Sequence, residues 1–151
     1  MIDKVDRHIV AELQKNARMT ASDIAREVGL SVPATAERIK RLMETGIIKR
    51  FTAQADAKKL GFDLTAFISV ISASSEHYQE TIDLALADAR ILECHSVTGE
   101  GSHLLKIRVR NSTELEQLLR DIQGWPGVIR SHTMLVLSTY KEGFSLGLED
   151  E

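Results

Sequence analysis

Residues Val28 to Leu42 read VGLSVPATAERIKRL, and how this stretch is parsed decides the fold of the first third of the chain. Gly29 has no Cβ and can take the left-handed conformation that ends a helix. Ser31 offers a side-chain oxygen to cap the next helix, and Pro33 suits a first helical turn, where no amide hydrogen is needed. The stretch therefore predicts helix, tight turn, helix. In the second helix Thr35, Ile39 and Leu42 fall at i, i+4 and i+7 on one face, while Glu37, Arg38, Lys40 and Arg41 lie largely elsewhere.

Upstream, DKVDRHIVAELQKN opens with Asp3 as N-cap and Asp6 three residues on, and Val5, Ile9, Val10 and Leu13 supply an apolar stripe. Thr20 with Asp23 repeats the capping arrangement for ASDIAREV, where Ile24, Ala25 and Val28 are the buried positions. Gly46 closes the third helix before a short strand-like run, IIKRF. Three short helices with a tight glycine turn between the last two form a DNA-binding helix-turn-helix pattern. Small Ala25 fits the close approach of the two helices. The first residues of the third helix would enter the major groove, amides and dipole outward. There Ser31 caps, Val32, Pro33 and Ala34 touch thymine methyls, Glu37 accepts from cytosine and Arg38 pairs with guanine. Lys40, Arg41, Lys49 and Arg50 are the candidate phosphate contacts, so double-stranded DNA is the expected partner.

The charge distribution agrees. The 151-residue chain carries a net charge of −3, yet residues 1–60 hold 12 Lys+Arg against 8 Asp+Glu, while residues 61–151 hold 7 against 14. Such asymmetry points to one half meeting a polyanion. With 43% apolar and 27% charged residues, the composition excludes disordered and fibrous classes. No apolar run is long enough to cross a bilayer, and MIDKVDRHIV is charged within three residues, so neither a membrane span nor a signal peptide is expected. The single cysteine, Cys94, cannot form an internal disulfide, which fits a cytoplasmic location.

After QADAKKLGF the periodicity changes. TAFISVISA (65–73) reads as a strand apolar on both faces, followed by a helix with Tyr78, Ile82, Ala85, Leu86 and Ala89 on one side. ILECHSV and HLLKIRV are two further strands joined by the GEGS turn (99–102). STELEQLLRDIQ is a helix with Leu115, Leu118, Leu119 and Ile122 in register, GWPG is a turn, and VIRSHTMLVL is the last strand. Both helices open on Ser/Thr and glutamate. The order βαββαβ is the ferredoxin-like arrangement, which carries both helices on one face. Its other face is too apolar for water, so a partner subunit is expected to cover it. The fold class is α+β, with a helix-turn-helix domain at 1–52, a hinge at 53–64 and a ferredoxin-like domain at 65–151.

Taken in order, DRHIVAELQKNAR, VGLS, ERIKRLMETGIIKRFTA, CHSVTGEGSHLLKIRV and WPGV resemble the Lrp/AsnC, or feast/famine, family of transcription regulators nearly end to end. The resemblance implies a winged or plain helix-turn-helix, a hinge near Ala53 to Leu60 and a ligand-binding C-terminal domain. It also implies dimers that assemble further, often to octamers, with amino-acid effectors bound between subunits. One departure stands out. The family's turn often reads Gly-x-x-Asp-Tyr, where this chain has Gly99-Glu100-Gly101-Ser102-His103. The expected effector site comprises that turn with Thr133, Met134, Val136 and Ser138 of the last strand. The glycines let amides approach a carboxylate, Ser102, Thr133 and Ser138 offer neutral hydrogen bonds, and Glu100 receives an ammonium group.

Two other readings use the same residues. Haem-precursor decarboxylases that look like this family would employ His95, His103 and His132, but an enzyme has no reason to keep Arg38 and Arg41 on the third helix. A metal-responsive regulator would recruit Cys94, His95, His103 and His132. Strand alternation sends Cys94 and His95 to opposite faces, and no C-x-x-C spacing occurs. The expectation is a regulator with neither catalysis, cofactor nor metal.

Overall fold

The computed structural model describes residues 2–148 and divides into two compact units. Met1 and residues 149–151, which the sequence reading assigns to the two domains, lie outside the described residues.

The first unit holds α1 (Lys4–Lys15), α2 (Ala21–Val28) and α3 (Val32–Glu44). Each helix starts as its sequence predicts. The Asp3 carboxylate accepts from the Asp6 amide, Thr20 Oγ1 accepts from the Asp23 amide, and both form reciprocal capping boxes. Gly29 sits at φ 68° and ψ 32°, the left-handed conformation, and its amide donates to Ala25 O. Leu30 N also reaches Ala25 O at 3.1 Å, which turns the chain sharply into α3. Ile9, Leu13, Ile24 and Leu42 form the core, with Val5, Val28, Ile39 and Ile48 packed around it. Burying four large aliphatic side chains at about 1.5–3 kcal/mol each is the main driving force for this small unit. The expected strand-like run after Gly46 forms no strand; Ile48 N instead bonds Leu42 O and its side chain tucks under the core.

The second unit spans Ala55–Tyr140 and contains β1 (Leu64–Ser72), α4 (Tyr78–Ala87), β2 (Ile91–Ser96), β3 (His103–Val109), α5 (Ser112–Gln123) and β4 (Val128–Leu135). The sheet order is β2-β3-β1-β4, antiparallel throughout. Ala66, Ile68 and Val70 of β1 and Leu105, Ile107 and Val109 of β3 point to the helix side, where Ala85, Leu118, Ile122 and Trp125 cover them.

Three sequence expectations are corrected here. β1 is not apolar on both faces, because its outer positions are Thr65, Phe67, Ser69 and Ile71, all half-buried. The buried face of α4 runs through Thr81 and Ala85, and Leu86 is largely exposed, one step around the helix. The two helices also start differently: Asn111 Oδ1 caps α5, whereas His77 gives α4 no side-chain cap. Within the span 53–64, Ala57 O accepts from the Phe62 amide across a turn, and Arg110 stacks 5.3 Å from the Phe62 ring centre.

The segment from Lys141 groups with the first unit, where the Gln14 side-chain amide both donates to Leu146 O (3.0 Å) and accepts from Leu146 N (2.8 Å). One amide group thus mimics a backbone partner for the returning chain.

Candidate nucleic-acid interface and ligand cleft

The turn at Gly29 delivers α3 with its first residues facing solvent. Ser31, Val32, Pro33 and Ala34 are exposed as a continuous run, Val32 at 45%, and Glu37, Lys40 and Arg41 continue that exposure along the helix. Thr35 and Leu42 turn inward; Thr35 is fully buried and satisfies its hydroxyl on Ser31 O at 3.0 Å. An exposed large apolar residue beside a proline and an alanine is what thymine methyl contacts require. The free amides at the helix start are fewer than expected. Pro33 has none, and Ser31 Oγ takes the Ala34 amide at 3.3 Å. Lys49 and Arg50 are exposed beyond the helix end.

Arg38 is engaged within the chain. Its Nη1 donates to Asp3 Oδ2 at 2.7 Å and Asp6 Oδ1 at 2.8 Å, and its side chain is only 28% exposed. One guanidinium nitrogen is thus engaged by two carboxylates at the start of α1, and Arg38 ties that end to α3. Arg41 donates through Nη2 to Asp6 Oδ2 at 2.9 Å but stays half exposed. The Asp6 amide and the Arg38 guanidinium hold the Asp3 carboxyl below its usual range. No local pattern betrays this cluster, because its partners lie 32 to 35 residues apart.

In the second unit an open cleft of about 690 Å³ lies beside the β2–β3 turn, lined by Ser69, Ser96, Val97, Thr98, Glu100, Gly101, Leu104 and Met134. Three of the expected effector residues, Glu100, Gly101 and Met134, are brought together there. Space is tight at Gly101: a Cβ would displace the rotatable Ser69 Oγ and lie 3.3 Å from Val70 O. Gly99, at φ 109°, is required by conformation and does not line the cleft.

The remaining expected residues point elsewhere. Ser102 Oγ is taken up by Val70 O (3.2 Å), Ser72 Oγ (3.3 Å) and His103 Nδ1 (2.9 Å). His103 is buried on the helix side and meets the Tyr78 ring edge-on at 4.9 Å, where burial lowers its imidazole pKa. Thr133 pairs with Ile68 and so shares that inward face. Val136 continues past β4, its amide on Thr65 O, and Ser138 lies beyond. Ser69 and Leu104, missed in the sequence, are direct cross-strand partners on the outer face. The alternation in HLLKIRV carries that signal, sending His103 inward and Leu104 outward.

The residues of the two competing readings are not assembled. Cys94 pairs with Leu105 on the helix side, and His95 pairs with Leu104 on the other. His95 and His132 share one row of the outer face but stand three strand spacings apart, about 14 Å. Among the described residues no group of three His, Cys, Asp or Glu could hold a metal ion, and no helix is long and apolar enough to cross a membrane.

Against known proteins, residues 2–49 match the winged helix-turn-helix DNA-binding model, and residues 65–146 match the Lrp/AsnC ligand binding domain. The HTH-type transcriptional regulator FL11 of Pyrococcus abyssi is 36% identical over 98% of this chain and 97% of its own. The regulator LrpA of Bacillus subtilis is 33% identical over 81% of this chain and 90% of its own. Among solved structures, E. coli AsnC superposes with a TM-score of 0.87 at 26% identity, covering 96% of this chain and 98% of that one. A Neisseria meningitidis transcriptional regulator in complex with L-methionine gives 0.89 at 27% identity, covering 98% and 97%. Two matched domains in the right order, near-complete coverage and the same architecture leave one assignment: the chain belongs to the Lrp/AsnC family of transcriptional regulators.

Proposed function

We propose that the protein regulates transcription by laying the first turn of α3 in the major groove, without catalysing a reaction. Ser31, Val32, Pro33, Ala34 and Glu37 face base edges in this reading, and Lys40, Arg41, Lys49 and Arg50 face phosphates. The observation that carries it is the uninterrupted exposure of residues 31–34 directly after the left-handed Gly29, in the basic part of an acidic chain. A two-fold dimer would present two such helices to half-sites about 10 base pairs apart. The outer sheet face supports self-association: Phe67, Leu104 and exposed Met134 lie there, though interspersed with Lys106, Arg108 and Glu93. Further assembly towards octamers and a cytoplasmic location belong to the same reading.

The cleft is proposed to take a small amino acid between copies of the chain, with Glu100 for its ammonium group and the Gly101 backbone for its carboxylate. The methionine complex of the Neisseria relative supports the ligand class. Selection of binding sites from a random pool of duplexes tests the DNA function; an imperfect palindrome is expected, and recovery of no motif contradicts it. Calorimetry tests the cleft. One amino acid should bind at or below millimolar concentration, more weakly to Glu100→Gln, and no binding of any amino acid removes the assignment.

A further inference from the structure

We propose that Asp6 is a positioning residue for DNA reading, fixing the roll of α3 through Arg38 and presenting Arg41 to the backbone. This rests on α3 being the groove-facing helix. Asp6 is 1% exposed, and its two carboxylate oxygens are divided between two cations one helical turn apart on α3: Oδ1 takes Arg38 Nη1 at 2.8 Å, Oδ2 takes Arg41 Nη2 at 2.9 Å. The same residue closes the capping box of α1, its amide donating to Asp3 Oδ1 at 2.8 Å, and Asp3 Oδ2 takes Arg38 Nη1 at 2.7 Å. The N-terminal turn of α1 and the middle of α3 are therefore one hydrogen-bonded assembly.

Apolar packing between the helices does not supply this precision. Contacts among Ile9, Leu13 and Leu42 are non-directional and tolerate a small rotation of α3. Hydrogen bonds to two donors on one helix do not, because they weaken steeply with distance and angle. Reading a base edge has the same tolerance. A buried ion pair is a poor source of net stability compared with apolar residues of similar volume. Its better-attested use is to fix a register, which is what a reading helix needs. Asp6 also has an electrostatic consequence. Its negative charge lies beside Arg38 and Arg41, so it reduces the attraction of this helix for any phosphate backbone. Removing the charge should weaken specific binding while leaving sequence-independent binding equal or stronger. A role in stability alone would move both together.

The test uses the full chain, with two probes: a duplex enriched by the wild type from a random pool, and a scrambled duplex of the same composition. Asp6→Asn keeps the shape of the side chain and removes its charge. Its affinity for the enriched duplex should fall at least tenfold, while affinity for the scrambled duplex stays constant or rises up to threefold. Arg38→Lys keeps the cation but ends one bond short of the Nη1 position that meets both carboxylates; it should show the same direction with a smaller loss, and it decides the matter if Asp6→Asn gives no cooperative melting. Equal loss on both duplexes, or unchanged affinity for the enriched one, overturns the proposal. If the wild type enriches no sequence, the DNA-reading assignment itself fails, and the positioning role falls with it.

Discussion

Glycines at the cleft separate two physical demands that the sequence presents as one. Gly99 and Gly101 both belong to the turn GEGS, and both were expected for approach to a ligand. Gly99 adopts φ 109° with open space around it, whereas Gly101 has an ordinary φ and little space. Gly101→Val should therefore destabilise the second unit by overpacking, about 1–3 kcal/mol. Gly99→Ala should cost about 1 kcal/mol from backbone strain alone and leave the cleft open. Thermal melting of both variants, with ligand titration of Gly99→Ala, checks this. At the same scale His103 shows what the sequence did reveal and what was overlooked. Its inward position follows from the alternation of HLLKIRV, whereas the family resemblance alone implies a place at the ligand. Arg38 is the opposite case, since nothing local to AERIKRL indicates carboxylates more than thirty residues away.

Elements were more legible than sites. All three helix starts of the first unit follow from side chains that bond their own neighbours, and such chemistry is written within four residues. The sequence suggests Leu86 for the buried face of α4, yet Thr81 and Ala85 take it and bring the helix close to the sheet. The junction of α5 and the segment before β2 is sensitive to pH. Arg90 donates to Asp88 Oδ2 at 2.6 Å and to Asp121 Oδ2 at 2.7 Å. Its guanidinium is the main reason that both carboxyls titrate below their usual value. The unfolded chain takes up these protons first as pH falls below about 4. The associated stability is complete above that pH and is lost as pH drops through the two lowered values. Melting of the second unit followed from pH 6 to pH 2 should show this loss. Asp88→Asn should melt lower at pH 6 and show a shallower dependence; an unchanged slope would rule out the Asp88 share.

For the whole molecule the decisive sequence feature was a contrast between its parts: a basic helical start and an acidic sheet-forming remainder. That contrast, with the element order, was enough for both domains, because each is a standard solution to burying its own apolar face. The outer sheet face was less legible, since cross-strand partners decide whether a residue there is covered. Met134→Glu places a charge on that face opposite Phe67, and sedimentation should show a shift towards monomer. Unaltered sedimentation would mean that self-association uses another surface. If the first turns of α3 read bases, Glu37 is the residue at which this shows. A carboxylate at this exposed position accepts from cytosine, while a glutamine there prefers adenine. Site selection from a random duplex pool, run in parallel for wild type and Glu37→Gln, should return two motifs that differ at one position in each half-site, cytosine having given way there. Recovery of the same motif from both proteins would contradict the placement of α3 in the groove.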